Sequence, residues 1–280
     1  MSALCALATR RCAFRTVPAM LGLAALLAFA GPQGTMISKA SAQATAGAPA
    51  AGTFSPEQKS AIEGIVKEYL LAHPELFLEI QRILEAKLEA EQAEKMKAAL
   101  KDVADGLYRD PNAPVAGNPK GDVTVVEFFD YNCGYCKRGL GDLVKLVESD
   151  KNVKVVFREL PILSKGSDEA ARAALAARKQ GKYWEFHRAM LDFKGQANEA
   201  SALKIAEKLG LDIAKLKTDM AADEAKAEIA KVREIAQKLG INGTPHFLVG
   251  DRSIPGAPEN LFEQLASDVG EIRKAGCQVC

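Results

Sequence analysis

The sequence predicts an α/β domain, split by a long helical insert and preceded by an N-terminal helical stalk. Three patterns lead there. Two apolar runs, 123–129 and 153–159, flank a stretch of helical periodicity, so strand, helix and strand follow one another. Residues from about Ser167 to Leu239 then run at helical period, punctuated by Gly181, Gly195 and Gly210, before strand character returns at 246–249 and 252–254. Ahead of all this, residues 55–101 carry two apolar helical stripes on a charged background.

Residues 1–42 read as a secretion signal. Arg10, Arg11 and Arg15 precede the apolar run 17–30, and Ala40-Ser41-Ala42 offers a small-residue cleavage site before Gln43, with Ala28-Phe29-Ala30 as an alternative. General secretion fits better than the twin-arginine route, because Phe14 falls one position late for that pattern. The expected location is therefore periplasmic. Cleavage removes Cys5 and Cys12 and leaves Cys133, Cys136, Cys277 and Cys280, two CxxC pairs in a chain large enough to build its core without staples. Without the four basic residues of the leader, 33 Lys+Arg face 36 Asp+Glu, a net of −3 that gives no electrostatic footprint for nucleic acid.

The elements follow in order. Residues 43–54 are small and featureless and are expected to be a disordered leader. Ser55-Pro56-Glu57-Gln58 is a capping box with proline at the first helical position, and Ile62, Ile65, Val66, Tyr69 and Leu70 form a stripe on a helix ending near His73, a turn residue. Pro74 opens a second helix through Leu76, Phe77, Ile80, Ile83, Leu84 and Leu88 into the charged run 85–101. Such a pair cannot bury its stripes alone, so region 55–108 is expected to self-associate or to pack on its own domain. Asp110-Pro111-Asn112-Ala113-Pro114 ends it, and Asn118-Pro119-Lys120-Gly121 turns into the first strong strand. The catalytic domain is expected over 109–274 with its insert at about 164–240. A helix from Pro258 to about Lys274 closes it, and 275–280 form a tail. Trp184, Phe186, His187, Met190 and Phe193 of the insert read as core.

The chemistry sits where strand 123–129 hands over to a helix, at Cys133-Gly134-Tyr135-Cys136. A helix N-terminus presents unpaired N–H groups and a positive dipole end, which favour the attacking thiolate. Cys133 at the helix mouth is expected to be the nucleophile, and Cys136, one turn in, the more buried resolving thiol. Two thiols so spaced also suit half a zinc site or a plain core pair. About 110 residues on, Gly243-Thr244-Pro245-His246 leads into an apolar strand. A CxxC after a strand, paired with a distant Thr-Pro before another, resembles the thioredoxin superfamily. That resemblance implies a cis Pro245 and, with Thr244, Gly134 and Tyr135, a substrate-facing surface. More closely, Glu127-Phe-Phe-Asp-Tyr-Asn-Cys133, Lys182-Tyr-Trp-Glu-Phe-His187 and Gly243-Thr-Pro245 resemble the DsbA family of exported thiol–disulfide oxidoreductases. The stretch from Phe54 through Leu-Leu-Ala-His-Pro-Glu75 resembles the N-terminal region of its ScsC branch. The resemblance implies a thioredoxin fold with a helical insertion and no cofactor. It also implies cysteine-containing protein substrates, a membrane redox partner and a homo-oligomeric, trimeric stalk. By the same resemblance Glu127, six residues before Cys133, is a buried acid that assists proton transfer from Cys136.

Two features depart from the pattern. Strong oxidants of the family carry histidine before the second cysteine; Tyr135 stands there, and with Thr244 before the proline this resembles the isomerases, so isomerase or reductase is expected before oxidase. Cys277-Gln278-Val279-Cys280 reads as a tail disulfide, a second redox pair, or a soft thiolate pair for Cu(I). His246 reads as the opening residue of a strand. A copper-binding or copper-tolerance protein and an oligomeric holdase are the rival classes.

Overall fold

The computed structural model describes residues 54–277, so the signal segment, the leader before Phe54 and Cys280 lie outside the described residues. The chain divides into two units, Met1–Ile65 and Val66–Cys280.

Helix α1 (Pro56–Ala72) starts at the expected capping box: the Gln58 amide donates to Ser55 Oγ at 3.3 Å, and the Ser55 amide donates to Gln58 Oε1 at 2.9 Å. It buries no residue. His73 occupies the turn, its Nδ1 3.1 Å from Glu75 Oε1. Helix α2 (Glu75–Tyr108) runs 34 residues, about 51 Å at 1.5 Å per residue. Its first half leaves Phe77, Ile80, Ile83, Leu84 and Leu88 exposed, whereas Leu100, Val103, Ala104, Leu107 and Tyr108 are buried. The latter join Val232, Ile235 and Leu239 in a core under one face of the sheet.

Strand β1 (Val115–Gly117) was not expected. It is three residues long, between two proline-bearing turns, too short to alternate visibly, and pairs antiparallel with β3 (Val153–Glu159). β2 (Val123–Phe129) runs parallel to β3, joined by α3 (Gly134–Ser149). The insert is five helices: α4 (Lys165–Arg178), α5 (Tyr183–Leu191), α6 (Glu199–Lys208), α7 (Ile213–Ala221) and α8 (Asp223–Lys238). β4 (His246–Val249) pairs antiparallel with β2 and β5 (Arg252–Pro255) with β4, giving the order β1-β3-β2-β4-β5. The last helix, α9, spans Leu261–Ala275, starting three residues later than expected because Pro258 lies in its entry turn, accepting from the Leu261 amide at 3.1 Å.

Every residue of β2 is buried, so the sheet is covered on both faces and its apolar run does not alternate. Val125, Phe129, Val155 and Phe157 face α3, α9 and the insert; Val126, Phe128 and Val156 face α2 and α8. Phe129, at the C-terminal end of β2, hands over to the segment that carries the CxxC.

Candidate active site

Cys133 is the N-cap of α3, with extended backbone (φ −77°, ψ 118°), and its carbonyl accepts from the Lys137 amide at 3.1 Å. It is less open than a helix mouth suggests, 7% exposed, because the loop before β4 lies over it. As a thiol it donates to the Thr244 carbonyl oxygen at 3.0 Å. The Thr244–Pro245 bond is cis, and the Pro245 carbonyl accepts from the Gly256 amide at 2.8 Å. Cys136, on the first turn of α3, is fully buried, and both thiols are free. Gly134 and Tyr135 between them are exposed. The structure thus brings Cys133, Gly134, Tyr135, Cys136, Thr244 and Pro245 together.

The two thiols differ in acidity. A hydrogen bond from Cys136 is the chief reason that Cys133 is held down to about 5; partial burial opposes it, and Thr244 and the backbone at Cys136 and Tyr135 add to the lowering. Burial pushes Cys136 far above the ordinary thiol range, and the bond to Cys133 and the nearby Glu127 push the same way. Only Cys133 is therefore a thiolate at neutral pH.

Glu127 lies on β2 opposite Phe157 of β3 and Phe247 of β4, 1% exposed. Its Oε2 has no hydrogen-bond partner among the described residues. Burial, and then the charge of Cys133, raise its carboxyl to about 8. A group so poised can take or give a proton near neutrality.

Sequence reasoning missed a second buried cluster. Glu159 ends β3 in register with Phe129, and its Oε1 accepts from Tyr183 at 2.8 Å and from Tyr131 at 3.3 Å. The Tyr131 hydroxyl also lies 3.2 Å from His187 Nδ1, and burial drives that imidazole down to about 3, so it is neutral. Burial likewise raises Glu159. The available signal was a carboxylate directly after the apolar Val155-Val156-Phe157 run and Arg158 at the end of β3. Asp130 was missed too. Its carboxylate accepts from the amides of Asn132 (2.7 Å), Ile162 (2.9 Å) and Leu163 (3.0 Å) and so fixes the segment that delivers Cys133.

The tail lies elsewhere. Arg273 near the end of α9 pairs with Asp122 and Asp150, which precede β2 and β3, and Cys277 packs on Gly250 at the far end of β4 from Pro245. Cys133 follows the opposite end of β2, about 20 Å away along the strand. Cys277 is held in a disulfide, and Cys280 lies outside the described residues. His246 opens β4 as expected, with Nε2 2.8 Å from Ser253 Oγ.

Comparison with known proteins gives this geometry its family. The pattern described as a DSBA-like thioredoxin domain matches residues 124–269, which hold both cysteines and the Thr-Pro loop. The chain belongs to the DSBA-like thioredoxin family. Residues 58–91 also match the pattern described as the copper resistance protein ScsC N-terminal domain. Its α/β sheet with helical insert is thus the thioredoxin fold, preceded by an ScsC-type helical region. A thioredoxin-like oxidoreductase from Silicibacter pomeroyi is 56% identical, covering 61% of this DSBA-like chain and 98% of that one, with TM-score 0.59. A linker-deletion mutant of Proteus mirabilis ScsC is 26% identical over 81% of this chain and 99% of that one, with TM-score 0.60. The chain spans about a quarter of the length of the first curated relatives it matches: a Na+/H+ antiporter, NhaA 3 of Salinispora tropica, is 33% identical over 157 residues, 24% of that protein. Among the described residues no helix is long and apolar enough to cross a membrane.

Proposed function

We propose that this chain is a periplasmic thiol–disulfide interchange protein in which Cys133 attacks cysteines of protein substrates and Cys136 resolves the mixed disulfide. The observation that carries the reading is the asymmetry of the pair: an acidic thiol at a helix N-cap, 3.0 Å from the Thr244 carbonyl, against a buried, non-acidic one. Cys133 thiolate forms a bond to a substrate sulfur and expels the second sulfur as thiolate. Cys136 must then lose its proton to attack Cys133; with the Cys133 charge consumed in the mixed disulfide, Glu127 loses one of the two causes that keep it protonated and, once ionised, is the group that takes it. Closure of the Cys133–Cys136 bond releases the substrate cysteine, and two electrons have passed to the substrate.

Isomerase or reductase action is favoured over net oxidation. Tyr135 stands where strong oxidants of the family carry histidine, and with Thr244 before Pro245 this is the pairing that resembles the isomerases. The apolar stripes of α1 and α2, exposed at Ile65, Tyr69, Phe77, Leu78 and Ile83, favour self-association through region 55–108, and several sites in one oligomer can hold a substrate while its bonds are reshuffled. A trimer, by likeness to the ScsC branch, and a membrane partner that resets the site complete the reading. The test is refolding of a scrambled multi-disulfide protein by the mature chain. Wild type should restore activity and Cys133→Ala should not; equal yields from both would end the proposal.

A copper-tolerance role is the second reading, favoured by the match to the ScsC N-terminal domain. Cu(I) would be taken by thiolates, either Cys133 with Cys136 or Cys277 with Cys280. Among the described residues no group of three or more His, Cys, Asp or Glu is arranged to hold a metal. Cu(I) titration of the reduced chain, with and without each pair, tests it.

A further inference from the structure

Beside Thr244 and Pro245 runs a groove of about 540 Å³, walled on one side by Tyr135 and Arg138 and on the other by the Asn242–His246 loop and Pro255–Pro258. No Asp or Glu lines it among the described residues. Its one charged side chain is Arg138. His246, the other basic residue of the lining, is driven down to about 4 by burial and is therefore neutral. Arg138 is exposed but held: its guanidinium lies over the Tyr135 ring, 4.4 Å from the centroid, and Nη2 donates to the Ala257 carbonyl at 3.0 Å. Asp142, one turn further along α3, is raised by burial and then by Glu263, with Lys145 opposing, and Arg138 is not among the groups that act on it. A pre-positioned cation thus stands in a neutral groove, although the chain as a whole carries nearly balanced charge.

We infer that Arg138 makes this groove a subsite for an acidic residue of the substrate polypeptide, two or three positions from the cysteine under attack. The inference rests on the exchange reading and names its preferred substrate. Arg138 lies five residues after Cys133, about 7.5 Å along α3, and an extended chain advances about 3.3 Å per residue, so a residue two or three away from the attacked cysteine comes level with the guanidinium. A carboxylate there meets a planar donor whose side-chain freedom is already reduced by Tyr135 and Ala257. The exchange step itself is unaltered: the same two sulfur–sulfur bonds form and break, and only capture of the substrate changes. Because Arg138 is at a wet rim, the preference is modest, about fivefold, and it is expressed in association and weakened by salt.

The test uses the full mature chain, reduced, and peptides bearing one cysteine as a mixed disulfide with a chromogenic thiol. Each peptide has Asp, Ala or Lys two or three residues to either side of the cysteine. The stopped-flow second-order rate constant for release of the chromogenic thiol, one event per reduced site, should at low salt be about fivefold higher for the best Asp peptide than for its Lys counterpart, and the difference should collapse at 0.5 M salt, roughly where the Debye length falls below 5 Å. Arg138→Met should abolish the difference, and Arg138→Glu should invert it, an inversion that a merely structural role could not produce. Equal rates for Asp and Lys peptides in wild type, with all peptides turned over, would overturn the subsite and leave exchange standing. Failure of wild type to turn over any peptide would overturn the exchange reading, and the subsite with it.

Discussion

Arg158 Nη2 lies 2.7 Å from the carbonyl oxygen of Leu107, and 2.6 Å from that of Gly106. The last carbonyls of a helix lack intrahelical donors, so a fully buried guanidinium from β3 caps α2 from the sheet side. The same group is 3.3 Å from Glu228 of α8 and 3.8 Å from Asp110. One side chain therefore joins the end of the long helix, the insert and the sheet, on the face away from Glu127. Arg158→Leu should destabilise the protein by about 3 kcal/mol, since it leaves two helix-end carbonyls and the Glu228 carboxylate without this donor, while Asp110 keeps Lys231. Thermal unfolding should fall by roughly 6–12 °C. Disulfide exchange measured well below that temperature should stay near wild type; a large loss of exchange with unchanged Tm would contradict this division of roles.

Cys136 contributes to its neighbour's acidity as well as to resolution. Its hydrogen bond is the leading reason that Cys133 is held at about 5, so Cys136→Ala should move the midpoint of Cys133 alkylation upward from about 5 toward the ordinary thiol value. The same variant should accumulate mixed disulfides with substrate proteins, visible on non-reducing gels. An unshifted midpoint would assign the acidity to the helix terminus and Thr244 instead.

Glu127 sets a pH dependence of known sign. Its carboxyl is raised to about 8 in the fold and titrates near 4.5 when unfolded, so between these values the native state holds a proton that the unfolded state has released. The Glu127 contribution to stability therefore falls as pH rises from 4.5 to 8, while that of Cys133, held at about 5 against 9.0 for an ordinary thiol, rises over much of the same span and offsets it. Glu127→Gln removes the falling contribution, so the variant should gain stability relative to wild type as pH rises, by on the order of 3 kcal/mol at pH 7. It should also prolong mixed disulfides, because Cys136 then lacks a proton acceptor. Parallel melting curves at pH 5 and pH 7.5 check the first effect, and quenched-flow decay of a mixed disulfide the second.

The tail gives a kinetic prediction. Cys277 sits at the end of β4 remote from Pro245, so a relay to Cys133 within one chain would require the tail to leave Gly250. Cys277→Ser with Cys280→Ser should leave re-reduction of Cys133–Cys136 in a monomeric preparation unchanged. A slowed rate would restore the relay.

Much of this arrangement was legible because the chemistry is local in sequence. Cys133 and Cys136 are three apart at a strand-to-helix handover, Glu127 is one strand length upstream, and Thr244-Pro245 announces its own backbone. The apolar neighbours of Glu127 indicated burial, and Glu127 is buried. What sequence reading lacked was cross-strand register and loop closure. Glu159 meets Tyr131 and Tyr183 only because β3 pairs with β2 in parallel register, and Asp130 reaches Ile162 and Leu163 across 32 and 33 residues. The exposure of Cys133 was overestimated for the same reason: the Thr244 loop that covers it arrives from 111 residues away.

The stalk supplies the final prediction, and its cut point matters. Leu100 and Leu107 are wholly buried against α8 and the sheet, whereas the stripe from Ile62 to Leu88 is exposed on a single chain. Apolar side chains of that number are not stable facing water along a helix, so they call for a partner of matching periodicity, and a second copy supplies one. Deleting residues 55–94 should therefore give a folded monomer that still exchanges disulfides but reshuffles scrambled substrates poorly, having lost neighbouring sites. Deleting through Tyr108 should instead unfold the domain, because truncating even one fully buried leucine costs about 2–5 kcal/mol and this cut removes two. Light scattering of the mature chain and both truncations separates these outcomes. A mature chain that is monomeric at micromolar concentration would leave the exposed stripe to some other partner and remove clustering as the basis of isomerisation.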